Sequence, residues 1–179
     1  VARHRGRGTF VTYHYHPEPV NAPVIGMLES LEHMGRETRI KVLSLRHMRP
    51  PVDIADDFAL PHDTTLTHIL RVRSHTTMAF AYYQSWTRDL PRSVTRSALE
   101  KHPRLELLRK AGITIARIEQ TLSAVAATPE VAAALGVMPG RPMLKMIRRS
   151  FDKADVQVDY LDAVYNPERF QYQMNLSVG

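Results

Sequence analysis

Two arginines on one β-prone segment are the clearest chemical signal in the sequence. Arg71 and Arg73 lie two residues apart in the segment 65–73, and alternate residues of a strand project from the same face of a sheet. Two neighbouring guanidinium groups form a fork that suits a carboxylate or a phosphate. The alternative is an edge strand on which both side chains face water, and the spacing alone favours neither.

A second polar group lies on a later β-prone segment. Asp159, Leu161, Ala163 and Tyr165 alternate along this segment, so they share one face and place a carboxylate and a phenol on the same side. The alternative is the solvated face of an antiparallel strand, where aspartate is common. Asp159 and Tyr165 are therefore candidate binding residues.

Signals for metal or catalytic chemistry are weak. Cys is absent, and the nine His include no pair three or four residues apart, which argues against zinc sites. The sequence contains no Gly-x-Ser-x-Gly elbow and no Gly-rich phosphate loop, although residue counts alone leave a Ser/His/Asp triad open. We predict that the protein is not an enzyme and holds neither a metal nor a cofactor.

Length and charge limit the class of protein further. The 179 residues carry 24 Lys and Arg against 18 Asp and Glu, a net charge of +6, which favours anionic partners. One domain is the expectation at this length. The longest stretch without a charged side chain runs from Ser74 to Thr87 and is too short to span a membrane. We expect a cytoplasmic protein without a signal peptide.

Hydrophobic periodicity and helix-stop residues predict alternating helices and strands. The predicted elements are a helix at Val24–Met34, a strand at Arg39–Arg49, a helix at Val52–Ala59, strands at Thr65–Arg73 and Met78–Trp86, helices at Ser93–Lys101 and Pro103–Ala111, a strand at Ile113–Ala126, a helix between Thr128 and Gly136, and two strands joined by a turn at Asp152–Asp155, the second of which carries Asp159.

The order of these elements repeats. A shift of 77 residues places Arg71 on Arg148 and Tyr83 on Tyr160, and it superposes a strand, a helix and two strands without a gap. Two such strand-helix-strand-strand pseudo-repeats predict an α+β domain with one antiparallel sheet of about six strands and helices on one face. We expect a cleft where the two halves meet, because pockets tend to form at such junctions.

The first residues are basic and begin without an evident element. The chain starts at Val1 rather than Met, and Arg5 and Arg7 precede the first acidic residue, Glu18. Glycines beside these arginines, followed by Thr-Phe-Val, suit a tight turn and a strand that hold guanidinium groups near phosphates. We expect the tail of a preceding unit, the alternative being a solvated terminus. Residues 13–23 are Pro-rich and predict an extended linker.

Several segments together resemble a known family of bacterial regulators. Arg5 to Val11 is similar to the closing wing strand of the winged-helix DNA-binding domain in GntR-type regulators. The chain from about Pro23 to Val178 resembles the UTRA effector-binding domain of the HutC subfamily, which has the chorismate-lyase-like fold. The residues that carry this likeness are Leu70 to Arg73 followed by Met78-Ala79, Ile113 to Leu122, Ala132 to Val137 with Gly140 and Pro142, Arg148, and Asp159 to Phe170.

The resemblance implies a repressor-like homodimer that binds a small effector and changes its binding to operator DNA. Relatives that bind phosphorylated amino sugars hold the anion with an Arg-x-Arg pair, and their acidic residue and tyrosine lie on the penultimate strand. The DNA contacts implied at the wing are Arg5 and Arg7. The ligand-binding residues predicted from the strands and the resemblance are Arg71, Arg73, Tyr83, Asp159 and Tyr165.

Departures from the family pattern affect the expected ligand. Ala81 stands where relatives carry a second acidic residue, which removes an acceptor for a sugar hydroxyl. The segment His102 to Leu105 replaces a Ser-Leu-Tyr helix start, and Asn166 to Phe170 replaces Arg-Gly-Asp-Arg-Tyr. We therefore expect an anionic metabolite that need not be an amino-sugar phosphate.

The resulting domain prediction has three parts. Residues 1–12 are the end of a winged helix, residues 13–23 are the linker, and residues 24–179 are the UTRA effector-binding and dimerisation domain. The helix Val24–Met34 is the predicted relay between the two domains. The alternative function is a chorismate-lyase-like enzyme on the same fold, and the lack of an evident proton-transfer residue weighs against it.

Overall fold

The computed structural model of the protein describes residues 2–4, 8–10, 20–21 and 38–173, and its main element is a six-stranded antiparallel sheet. In chain order the elements are β1 (Ala2–His4), β2 (Gly8–Phe10), β3 (Val20–Asn21), β4 (Thr38–Met48), α1 (Val52–Asp57), β5 (Leu66–His75), β6 (Met78–Thr87), α2 (Arg96–Lys101), α3 (Arg104–Lys110), β7 (Arg117–Ala126), α4 (Pro129–Leu135), β8 (Pro142–Phe151), β9 (Gln157–Tyr165) and β10 (Tyr172–Gln173). The strands of the main sheet lie side by side in the order β4-β5-β6-β9-β8-β7.

Local sequence explains why the helices begin and end where they do. In α4 the Thr128 hydroxyl accepts a hydrogen bond from the Val131 backbone N–H at 3.3 Å, and Pro129 occupies the first turn. Gly136 ends the helix with φ +63°, a left-handed conformation that costs glycine least. The N-cap of α2 is Thr95, which accepts from the Ala98 N–H at 3.2 Å.

The internal repeat is present, and its two halves meet in the centre of the sheet. The units β4-α1-β5-β6 and β7-α4-β8-β9 join where β6 pairs with β9. Arg71 pairs with Tyr83, whereas its repeat partner Arg148 pairs with Leu161. The second hairpin is one residue longer between these pairs, so Tyr83 corresponds to Leu161. The predicted match of Tyr83 with Tyr160 is therefore wrong.

The predicted antiparallel sheet is confirmed, but the helices lie on both of its faces. Val72 packs in one cluster with Leu135 of α4, and α1 lies on this same face. Ile69 packs on the opposite face with Leu99 of α2 and with α3. The sheet needs cover on two sides because β5 buries apolar residues of both faces. The prediction of helices on one face missed this because it treated each strand as having one solvated face.

Short strands outside the main sheet occur near both ends of the described chain. β1 pairs with β2 in an antiparallel arrangement, and β3, inside the predicted linker, pairs with β10 in a parallel one. Three predicted features lie outside the described residues: Arg5, Arg7 and the helix Val24–Met34. Among the helices that the structure describes, none is long and apolar enough to cross a membrane.

Candidate functional site

A cavity of about 310 Å³ lies between the sheet and the two helices α2 and α3, which together we call the α2–α3 cover. Cationic side chains dominate its lining. The charged residues that line it are Arg71, Arg73, Lys101, Arg104 and Arg148 against Glu100 and Asp159. This is the small end of the range for ligand pockets, which is roughly 300–1,000 Å³. Among the residues that line the cavity, positive charges exceed negative ones.

Two hydrogen bonds to the backbone of Val42 hold α2 over this cavity. The β4 strand has a register irregularity just after Val42. Here Glu100 accepts a hydrogen bond from the Val42 N–H at 2.9 Å, and Arg96 donates to the Val42 carbonyl at 2.7 Å. Because a bulge disturbs strand pairing, it can turn backbone groups toward other partners. The backbone of β4 thereby fixes the position of α2 over the cavity.

Arg71 is the least satisfied charge of the site. It is 6% exposed, and its Nε atom is enclosed without a hydrogen-bond partner among the described residues. Its nearest aromatic neighbour is Tyr83, whose ring centroid lies 5.4 Å from the Arg71 Cζ atom. Burial, followed by repulsion from Arg104, lowers the pKa of Arg71 to about 9. The guanidinium is still protonated at pH 7, so it is a buried charge.

Arg73 lies on the same face of β5, as the two-residue spacing predicts. It is half-buried and lines the cavity beside Arg71. Its Nη1 atom donates to the Thr38 hydroxyl at 2.9 Å, at the start of the neighbouring strand β4. Arg73 is therefore anchored toward the edge of the cavity.

Asp159 is fully engaged by its neighbours. Thr87 Oγ1 donates to its Oδ1 atom at 2.8 Å, and Arg104 Nη1 donates to Oδ2 at 2.9 Å. Arg104 Nη2 donates to the same carboxylate and also to the Thr87 hydroxyl at 2.7 Å. Both members of the ion pair are buried. This pair ties the beginning of α3 to the centre of the sheet.

Arg148 is the repeat counterpart of Arg71 and has a neutral partner. Its Nε and Nη2 atoms donate to Gln120 Oε1 at 3.1 Å and 2.7 Å. The residue opposite Arg71 in the first half is Val42, which offers no side-chain acceptor. This single difference on the outer strands explains why one arginine is held and the other is not. Burial lowers the pKa of Arg148 as well.

The two predicted tyrosines occupy different positions. Tyr83 lines the cavity. Tyr165 does not line it, because its ring is covered by Phe170, with centroids 4.3 Å apart, and meets the edge of Tyr83 at 5.8 Å. Burial, with a smaller effect from Tyr83, raises the pKa of Tyr165 well above the ordinary value.

Sequence reasoning did not assign Arg104 or Arg148 to the site. The 77-residue repeat already matched Arg148 with Arg71, and that match was the signal for Arg148. Arg104 reaches the site from a helix start, where no strand periodicity applies, so only the long-range packing of α3 brings it to Asp159. Within the described residues no cluster of three or more His, Asp or Glu could hold a metal ion.

Comparison with known proteins shows the family. The model of the UTRA domain matches residues 33–171, and the chain therefore belongs to the UTRA domain family. This domain is the effector domain of GntR-family transcriptional regulators. A curated relative, the HTH-type transcriptional regulator Rv0792c of Mycobacterium tuberculosis, is 32% identical over 68 residues, which are 38% of this chain and 25% of that regulator. The chain thus matches about a quarter of the length of this relative.

Solved structures share the fold. The ligand-binding domain of a protein assigned to the GntR-family regulators of Bordetella bronchiseptica is 30% identical, with a TM-score of 0.72 over 79% of this chain and 93% of that one. A structure assigned as a transcriptional regulator of Streptomyces coelicolor is 29% identical, with a TM-score of 0.71 over 74% and 89%. PhnF from Mycobacterium smegmatis is 16% identical with a TM-score of 0.77 over 98% and 78%, a likeness of fold alone.

Proposed function

We propose that this chain is the effector-binding and dimerisation part of a HutC-type member of the GntR regulators. A small anionic metabolite in the cavity would change how the regulator binds operator DNA. In this proposal residues 1–12 are the end of a winged helix, residues 13–23 are the linker, and residues 24–179 sense the effector and form a homodimer. The protein would act in the cytoplasm, where its DNA lies.

The observation that carries this proposal is the state of Arg71. A buried cation is unfavourable unless it is paired, and the enclosed Nε atom of the Arg71 guanidinium has no hydrogen-bond partner among the described residues. Arg104 and Arg73 raise the positive potential around it. A bound carboxylate or phosphate would supply both the missing hydrogen bonds and the missing counter-charge. The buried charge of Arg71 therefore destabilises the ligand-free protein, and a bound anion would relieve this destabilisation.

The arrangement also gives a route for the signal. The cover α2–α3 rests on the sheet through Arg104 and Asp159 on one side and Glu100 and Val42 on the other. An anion bound to Arg71 beneath the cover would also attract the neighbouring Arg104 and so change how the cover rests on the sheet. Effector and DNA would then favour different dimer arrangements, with a coupling free energy of typically about 1–3 kcal/mol.

A thermal-shift screen tests the binding half of this proposal. We would screen phosphorylated sugars, phosphonates, urocanate-like acids and simple carboxylates at one ionic strength. Ligand at about 100 times its Kd should stabilise the folded state by about 2.7 kcal/mol. Arg71→Ala and Arg73→Ala should abolish the shift, while light scattering shows the dimer intact. If no anion shifts the wild-type protein, the proposal is wrong.

DNA titration tests the second half. Residues 1–179 alone should bind DNA weakly and without sequence preference, and added salt should remove this binding, because the predicted recognition helix of a winged helix is not among them. Tight, sequence-selective binding by these residues would contradict the domain boundaries proposed here.

The enzyme alternative has less support from the site. A lyase-like reaction needs a group placed to transfer a proton. The buried carboxylate Asp159 is held by Arg104 and Thr87, so it is not free to take a proton from a ligand. The family membership likewise points to regulators. Turnover of a bound anion by the purified protein would reverse this conclusion.

A further inference from the structure

The cavity holds two buried arginines without a carboxylate partner. No Asp or Glu of the described residues lies within ion-pair distance of Arg71 or Arg148, which are 6% and 3% exposed. The Nε atom of Arg71 has no hydrogen-bond partner among the described residues, and Arg148 is held by the neutral Gln120. Arg104 is different, because Asp159 neutralises it. Two positive charges, those of Arg71 and Arg148, therefore lack a carboxylate partner among the described residues.

These two arginines lie on opposite sides of the junction between the halves. Arg71 is on β5 and Arg148 is on β8, with β6 and β9 between them. Three strand spacings separate the two backbones by roughly 14 Å. Arg104 repels both guanidinium groups and lowers the pKa of each, but neither Arg71 nor Arg148 is a main cause of the shift in the other. The two charges thus come from strands on opposite sides of the junction, and both line the same cavity.

The one buried carboxylate of the cavity is unavailable to a ligand. Asp159 would be the natural partner for an ammonium group or a sugar hydroxyl. Arg104 occupies both of its oxygen atoms, and Thr87 donates a further hydrogen bond. A ligand with a cationic group would have to break this pair, and breaking a buried ion pair is strongly unfavourable. The cavity consequently disfavours amines and zwitterions.

We propose that the effector carries two separated anionic groups and no cationic group, with one anionic group bound by Arg71 and the other by Arg148. This inference rests on the proposed function and specifies the ligand class of its site. Arg104 acts as the specificity-determining residue, because it cancels Asp159. The two-ended arrangement follows from the internal repeat, which places an arginine at the same position of each half.

Matched dicarboxylates and their analogues test the proposal by calorimetric titration. Glutarate has two carboxylates, butyrate lacks one of them, and glutamate adds an ammonium group to the same carbon chain. The series from malonate to adipate, with the alkane bisphosphonates of equal length, varies the separation of the charges. We expect the best dianion to bind at least tenfold more tightly than its matched monoanion and its matched amino derivative.

Two variants assign the second anionic group to Arg148. Arg148→Gln should reduce the preference for the dianion over the monoanion to less than threefold. Gln120→Glu should do the same without removing the arginine, because the new carboxylate neutralises Arg148 internally and preserves the packing. Arg149→Gln is the matched control, since Arg149 is adjacent in sequence but pairs with Asp57 outside the cavity. Its ligand preference should equal that of the wild type.

The specificity role of Arg104 is tested with the glutarate and glutamate pair. Arg104→Gln releases Asp159, so the ratio of their affinities should fall or reverse. Equal binding of monoanions and dianions by the wild type, or an unchanged ratio in both Arg148→Gln and Gln120→Glu, would overturn the two-ended model. The proposed function would survive that result if Arg71→Ala still abolished binding. The absence of binding by any anion would refute both.

Discussion

Replacing Arg71 by methionine should stabilise the free protein while it abolishes anion binding. Burial lowers the pKa of Arg71 from the ordinary arginine value to about 9. One pKa unit corresponds to about 1.4 kcal/mol, so keeping Arg71 charged lowers the stability of the folded state by about 5 kcal/mol. Methionine removes this cost and keeps an apolar contact with Tyr83, but it loses a cation–π interaction worth roughly 0.5–2 kcal/mol. We expect a net gain of about 2 kcal/mol or more in the free energy of unfolding.

The pH dependence of this gain has a definite sign. The pKa of Arg71 is lower in the folded state, so above about pH 9 the unfolded state binds more protons and stability rises with pH. The cost of the Arg71 charge is therefore present in full below about pH 9. The gain from Arg71→Met should be constant from pH 6 to pH 8, well below that pKa.

Urea unfolding of the ligand-free protein measures the effect. The midpoint should rise with an unchanged m-value, because the compactness of the two states does not change. Arg149→Met is the control on the other face of the sheet. It leaves Asp57 without its guanidinium partner, so it should destabilise the protein. A loss of stability in Arg71→Met would refute the idea that Arg71 is an uncompensated buried charge.

Three further substitutions test other parts of the structure. Asp159→Asn removes the partner of Arg104 in a buried pair, and urea unfolding should show a loss of about 3–5 kcal/mol; a loss below 1 kcal/mol, typical of an exposed pair, would contradict the described burial. His68 stacks on Trp86 at 4.2 Å, and burial with repulsion from Arg46 lowers its pKa. The unfolded state then binds the proton more readily, so stability should fall as the pH drops below about 6.5, and His68→Phe should show a smaller fall when the two are unfolded in parallel. Gly136→Ala should cost about 1–2 kcal/mol through its positive φ alone, since an added Cβ meets no atom within 4 Å; an unchanged thermal midpoint would argue against the left-handed helix end.

The strands and their order along the chain could be predicted because the signals that mark them are local. Alternating apolar residues define β5 and β6, and the residue types of Thr128 and Gly136 are enough to mark the two ends of α4. The same-face placement of Arg71 and Arg73 follows from strand geometry alone. These features depend on residues that are neighbours in sequence, so the sequence carries them directly.

The parts that could not be predicted depend on long-range packing. The cover of the second sheet face by α2 and α3, and with it the pairing of Arg104 with Asp159, joins residues 55 positions apart. The extra residue in the second hairpin shifted Tyr160 to the face opposite Tyr83, which a gapless repeat does not reveal. Tyr165 shares a strand face with Asp159, but Phe170 covers its ring, and periodicity gives no information on such cover.

A crystal structure of the protein with the tightest anion from the screen tests the central claim most directly. The account predicts oxygen atoms of that anion within hydrogen-bond distance of the Arg71 guanidinium, beneath the α2–α3 cover, with Tyr83 beside them. An anion bound only at the protein surface, with the Arg71 side chain unchanged and nothing in the cavity, would contradict it.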